Sequence, residues 1–129
     1  MKTGEISSLG TALPEHFKFH HDAGHGWLAV PYSAIESLGI ENQVSDYSYR
    51  LNEIVFLEED LDAVLFIKAY LKRIGRAEND FAAFKPLSQD VYDGNSSAIR
   101  GYPQYKAGKT QLFNPGRITP IENARTRRV

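Results

Sequence analysis

The alternation of apolar and polar positions begins at His16. Residues 1–14 carry no periodic pattern and are punctuated by Gly4, Gly10 and Pro14, which predicts a flexible leader. Phe17 and Phe19 then alternate with Lys18 and His20, the period-two signature of a strand. Trp27, Leu28, Ala29 and Val30 form a second apolar run that closes at Pro31. The simplest assignment is a β-hairpin whose tip carries the DAGHG segment, with a loop of roughly four residues. Residues 32–38 read as one to two helical turns. Ser33 is placed to cap them and Glu36 stands three residues later, as a capping box requires; Gly39 is the expected stop. Ile35 and Leu38 would face the core.

After a polar connector, Tyr47, Tyr49 and Leu51 alternate with Ser48 and Arg50, and Ile54, Val55, Phe56 and Leu57 follow. This predicts a second hairpin turning near Asn52, with the continuous apolar run as a central strand. Residues 60–74 carry the clearest helical pattern. Leu61, Val64, Leu65, Ile67, Leu71 and Ile74 recur at spacings of three and four, with Phe66 and Tyr70 widening the face. Asp60 and Asp62 suit the helix start, Lys72 and Arg73 suit its end, and Gly75 is a natural stop. Leu61, Val64, Leu65, Leu71 and Ile74 are the expected core positions. Residues 81–84 form a short apolar segment, read as one helical turn or a last strand. Beyond Tyr92 the periodicity is lost, with Tyr102, Tyr105, Leu112, Phe113 and Ile118 scattered among turn signals.

These elements define a small α+β fold. A mostly antiparallel sheet packs against one principal helix, and an irregular C-terminal tail follows. The expected organisation is a leader over 1–14, a single domain over 15–92 and a basic tail over 93–129. A chain of 129 residues supports one core. No stretch approaches the roughly 20 apolar residues of a membrane span, and the N-terminus lacks the apolar centre of a signal peptide, so a cytoplasmic protein is expected. The absence of cysteine excludes a disulfide scaffold, a thiol nucleophile and a thiolate zinc site. The net charge of −1 hides an asymmetry: residues 1–95 sum to −7 and residues 96–129 to +6. The two parts attract each other, which predicts a tail lying on its own acidic domain or on an acidic partner.

Candidate chemistry concentrates in residues 20–27, HHDAGHGW, with three histidines, an aspartate, two glycines and the only tryptophan. Three readings follow. As a recognition surface, His20, His21, Asp22, His25 and Trp27 combine with Tyr47 and Tyr49 to bind a protein, either a host factor or a second copy. As a metal site, His21, Asp22 and His25 supply imidazole and carboxylate donors for a divalent ion, although no HExxH pattern is present. As a hydrolytic site, His25 acts as general base oriented by Asp22 and activates water, since no serine elbow exists. The plain structural alternative is a polar hairpin tip in which Asp22 bonds the backbone of its own turn and the glycines serve geometry.

Two further clusters carry weaker signals. Glu58, Glu59, Asp60 and Asp62 can bind magnesium or calcium through oxygen, or simply mark an acidic helix start. In the tail, Arg100, Lys106, Lys109, Arg117, Arg125, Arg127 and Arg128 interleave with aromatic residues, a composition that can bind single-stranded nucleic acid. The GKT at residues 108–110 lacks the glycine frame of a phosphate-binding loop.

The stretch HDAGHGWLAV, a short helix, then YSYRLNEIVFLEEDLDA and an apolar helix, resembles small uncharacterised proteins of bacteriophages and plasmids. The resemblance covers roughly residues 20–75. It implies an accessory protein acting inside a bacterium and assigns no catalytic role to Asp22, His25 or Glu59. Together these observations favour a non-enzymatic accessory or regulatory binding protein without a required cofactor.

Overall fold

A computed structural model describes residues 13–108. Two hairpins and a late strand build one five-stranded sheet in the order β3-β4-β2-β1-β5. β1 (Phe17–His21) and β2 (Gly26–Pro31) form the first hairpin, pairing His20 with Trp27 and His21 with Gly26. β3 (Tyr49–Leu51) and β4 (Ile54–Glu58) form the second, turning at Asn52, whose φ of 55° is the left-handed value such a turn needs. β4 pairs antiparallel with β2 and so lies inside the sheet, as its apolar run predicts. β5 (Ser88–Tyr92) is added parallel to β1 after a long crossover through the helices. This strand has no period-two apolar pattern, since Gln89, Asp90 and Tyr92 are all exposed on the sheet's margin. The architecture is the mixed α+β fold read from the sequence, with a sheet that is antiparallel except at β5.

Strand alternation divides the sheet into two faces. Phe17, Leu28, Val30, Val55 and Leu57 point to the inner face, where each is almost fully buried. Three helices stand on the same core: α1 (Tyr32–Ser37), α2 (Asp62–Arg73) and the single turn α3 (Phe81–Phe84). Phe17 is ringed by Phe66, Tyr70 and Phe84 at centroid distances of 5.6, 5.3 and 5.1 Å. Such edge and tilted contacts add to the burial of apolar area that drives folding.

The principal helix is rotated relative to its sequence reading. Ala63, Phe66, Tyr70 and Leu71 are buried, whereas Leu61 is 51 % and Ile74 46 % exposed. Aromatic Phe66 and Tyr70 fill the space under the sheet and pull the buried stripe toward themselves. Leu61 stands just before the first turn and Ile74 just after the last, so both leave the face. Neither predicted cap forms. Pro31 precedes α1 with no side-chain cap, and Glu58, not Asp60, accepts the backbone N–H groups of Asp60 and Leu61 at 3.0 and 2.8 Å. Both predicted stops hold. Gly39 (φ 70°) and Gly75 (φ 87°) let the N–H groups of Ile40 and Arg76 reach back to the carbonyls of Ile35 and Leu71.

Residues on either side of the central segment also dock. Leu13 packs on the core, and the Pro14 carbonyl accepts the Tyr70 hydroxyl at 2.7 Å. Beyond β5, a 3-10 turn (Ala98–Gly101) crosses the outer face of the sheet, and residues 103–105 then run along the outer edge of β3. The Arg50 N–H donates to the Pro103 carbonyl and the Tyr105 N–H to the Ser48 carbonyl, at 2.8 and 2.9 Å. This pairing shields a sheet edge that would otherwise expose a ladder of backbone groups. This segment, residues 93–108, forms a strap, and buried Arg50, stacked 3.7 Å from the Tyr32 ring centre, fastens its end by donating to the Lys106 and Gly108 carbonyls. Leu112, Phe113 and Ile118 lie outside the described residues. Among the described residues, no helix is long and apolar enough to cross a membrane.

Candidate functional site

The hairpin tip is fixed by Asp22. Its side chain is fully buried and accepts five N–H groups. Oδ1 accepts the Gly24 and His25 amides at 2.9 and 3.0 Å, the turn geometry the sequence suggests. Oδ2 accepts the Ser97 amide at 2.8 Å. The Arg100 guanidinium closes the set with a two-pronged contact, Nε to Oδ2 at 2.6 Å and Nη2 to Oδ1 at 2.8 Å. The Arg100 contact, aided by the three backbone donors and opposed by burial, holds the Asp22 carboxyl far below the usual carboxylate range. Asp22 is therefore a fixed anion with its lone pairs occupied. It engages the backbone amide of His25, while the His25 ring lies beside Trp27 at 6.2 Å.

The histidines of the motif go to three places. His21 points to the inner side, stacked on Phe19 at 6.3 Å and beside Tyr92 at 5.3 Å. His20 points to the outer face, toward Asp93. His25 sits exposed at the tip. His21, Asp22 and His25 border one open hollow of about 330 Å³, yet among the described residues no cluster of three His, Asp, Glu or Cys side chains is placed to hold a metal ion. The glycines serve geometry. A Cβ on Gly26 would run into the Phe19 ring, and one on Gly24 would lie 3.1 Å from Arg100 Nη2.

The acidic run is also dispersed. Glu58 spends both oxygens on the first turn before α2. Asp62 is buried and accepts the Ser45 hydroxyl at 2.7 Å and the Ser48 hydroxyl at 2.6 Å, with the Ser45 amide at 3.1 Å. Ser48 in turn accepts the Glu58 amide at 2.9 Å. This small polar core anchors the loop that carries Tyr47 and leads into Tyr49 of β3.

The result is a cleft of about 380 Å³ lined by His25, Trp27, Tyr47, Tyr49, Glu58, Leu61 and Arg100. Trp27, only 2 % exposed, forms the base, with Tyr49 edge-on at 6.4 Å and the Arg100 guanidinium 5.5 Å from its ring centre. Tyr47 and Leu61 stand at the rim, 69 % and 51 % exposed. Four of the predicted recognition residues thus share one hollow: His25, Trp27, Tyr47 and Tyr49. His20, His21 and Asp22 do not line it. Glu58, Leu61 and Arg100 join them, although the sequence pattern points to other roles: a helix-start or metal-binding acid, a core position and a basic-tail residue. The last was readable only as one member of a basic tail, because nothing local shows that a cation 78 positions away meets Asp22. Lys106 is exposed, and Lys109, Arg117, Arg125, Arg127 and Arg128 lie outside the described residues.

Fold and cleft together define a small α+β protein with a preformed aromatic hollow on one sheet face. No family model, curated protein or solved structure matches the chain.

Proposed function

We propose that this chain is a non-enzymatic accessory or regulatory binding protein of a bacterial mobile element, acting in the cytoplasm on a protein target. Recognition occurs in the aromatic cleft, which grips an apolar or aromatic side chain presented by an exposed segment of the partner. The observation that carries this reading is the convergence of Trp27, Tyr47, Tyr49 and Arg100 on one hollow, the residue types that dominate interface energetics. Both charged groups of the cleft already have partners: Arg100 pairs with Asp22, and Glu58 accepts two backbone amides. Their opposite charges are largely answered within the protein, so an uncharged ring or branched side chain is the better guest for the aromatic walls. The resemblance to phage and plasmid proteins supports the setting, with a host protein as the target.

Selection from a random peptide display library on the folded protein tests this. The expected result is an enriched motif with an aromatic or aliphatic residue at a fixed position. Binding of the selected peptide should fall at least tenfold in Tyr47→Ala and Leu61→Ser, yet survive Tyr92→Ala, which removes an exposed ring elsewhere. Peptides that bind all four proteins equally, or selection that yields no motif, would remove the cleft from the function.

A further inference from the structure

The outer face holds a second hollow, separate from the aromatic cleft and sharing none of its residues. It measures about 390 Å³ and is lined by His20, Phe56, Asp93, Ser97, Ala98, Ile99 and Tyr102. Its size falls at the small end of the roughly 300–1,000 Å³ typical of ligand pockets. Two aromatic rings form a wall, Phe56 and Tyr102 at 5.3 Å, and the His20 imidazole meets Phe56 at 6.1 Å in an edge-to-face arrangement.

The polar side of this hollow is more ordered than a surface histidine requires. Both oxygens of Asp93 lie 3.2 Å from His20 Nδ1, and the Ser97 hydroxyl donates to Asp93 Oδ2 at 2.7 Å. Ser97 is itself tied down, because its amide donates to Asp22 and its oxygen accepts the Ile99 amide. Burial works to raise the Asp93 pKa, but the donors Ser97 and His20 outweigh it and the net direction is downward. An ionised carboxylate at Nδ1 accepts only, so the imidazole proton is drawn to Nδ1 when the ring is neutral. Nε2 is then left as a bare acceptor. The carboxylate is answered by two donors and the serine by its own three contacts.

We infer that this hollow is a second binding site, taking a neutral aromatic ring that carries one O–H or N–H donor. The ring packs against Phe56 and Tyr102, and its donor reaches His20 Nε2. Asp93 is a positioning residue, fixing the tautomer and the plane of the imidazole. An anionic ligand is disfavoured, since the Asp93 carboxylate borders the hollow.

The test is an NMR titration of the wild-type protein with phenol as probe, following the ring nitrogens of His20 and the aromatic protons of Phe56 and Tyr102. Anisole, which has the same ring and no donor, is the control. The expected result is saturable phenol binding with a shift at His20 Nε2, and an affinity for anisole roughly tenfold lower, the share of one hydrogen bond. At a pH where the ring is neutral, the free protein should show Nδ1 protonated and Nε2 bare, a pattern that Asp93→Asn should scramble while lowering phenol affinity. His20→Leu should reduce phenol to the anisole level. Equal affinity for phenol and anisole, or the absence of a saturable shift at these three residues, overturns the proposal. So does tighter binding of tetramethylammonium than of phenol, which would mark a cation site built from the rings and Asp93. Because wild-type protein and small probes carry the decisive comparison, a variant that fails to fold leaves the outcome readable.

Discussion

The two faces of the sheet are closed by different physics. On the inner face, Phe17, Leu28, Val30, Val55 and Leu57 meet Phe66, Tyr70, Leu71 and Ile35 in a dry apolar interior. On the outer face, the same strands present Lys18, His20, Trp27, Ala29, Ile54, Phe56 and Glu58, and among the described residues no α-helix covers them. A strap of chain crosses there instead. It is held by named polar bonds: Asp22 to Ser97 and Arg100, Asp93 to His20, and β3 to residues 103–105. Apolar burial is nondirectional and tolerant of rotation, so it makes a frame. Hydrogen bonds and ion pairs are directional, so they set the shape of the two hollows beside the strap. The same strands thereby carry a dry core on one side and two shaped hollows on the other.

The strongest way to break this division is to remove a large side chain from the inner face. Phe66→Ala should cost about 3–5 kcal/mol and Leu71→Ala about 2–5 kcal/mol in urea denaturation, through lost burial and residual cavity. Leu61→Ala, on the same helix but at the rim of the cleft, should change stability by less than about 0.5 kcal/mol. A Leu61 cost matching that of Leu71 would mean the helix packs on the face its spacing alone suggests. Next in size is Gly26→Ala at the hairpin. Its new methyl group would meet the side chain of Phe19, and overpacking of this kind costs about 1–3 kcal/mol. Gly24→Ala should cost less, because its near neighbour is the end of the Arg100 side chain.

Acid should separate the faces without any mutation. Asp22 and Asp93 both have lowered pKa values, Asp22 chiefly through Arg100, and Asp93 through Ser97 and His20 against its burial. Between those lowered values and the unfolded value of about 3.9, the folded chain binds fewer protons than the unfolded chain. Stability therefore rises with pH across that window, is complete above roughly pH 5, and is lost as pH falls. Both carboxylates lie beside the strap, where Asp22 meets Ser97 and Arg100 and Asp93 meets Ser97 and His20. Trp27, the only tryptophan, lies against Arg100 on the outer face and reports the strap. As pH is lowered, its fluorescence should change before the helical circular dichroism does. Asp22→Asn should flatten the dependence. Coincident transitions in wild type would show that strap and core unfold as one unit.

Much of the inner face was legible in the sequence and little of the outer face was. Periodicity exposes elements that bury a stripe, so both hairpins, α1, α2 and their glycine stops can be read from residues 16–75. Periodicity fails where a side chain answers to a distant partner. Asp62 has the local look of a helix-dipole charge yet binds two serines of the preceding loop. Arg100 looks like tail basicity yet pairs with Asp22. Strand β5 was invisible because an exposed edge strand imposes no apolar alternation. Within the motif, His25 and Trp27 did reach the cleft with Tyr47 and Tyr49, but alternation on β1 sent His20 and His21 to opposite faces.

The smallest effect on stability, and the sharpest on recognition, is expected at Tyr47. Its ring is 69 % exposed and supports nothing beneath it, so Tyr47→Ala should change unfolding free energy by less than about 0.5 kcal/mol. The loop that carries it is held independently, by Asp62 with Ser45 and Ser48 and by Ser45 Oγ accepting the Tyr47 amide at 3.1 Å. Removing the ring therefore leaves the frame of the cleft in place and deletes only a wall. Affinity for a cleft-binding peptide should fall tenfold or more, entirely as faster dissociation. Ser48→Ala makes the opposite cut. It keeps every aromatic ring but deprives buried Asp62 and the Glu58 amide of a partner. It should lower stability by about 1–3 kcal/mol, and it should weaken binding only to the extent that the loop shifts. Measured side by side by calorimetry and peptide titration, the two variants should move along different axes. A Tyr47→Ala protein that loses stability and affinity in proportion would place that ring in the frame, and the separation of duties between the faces would fail at its most exposed residue.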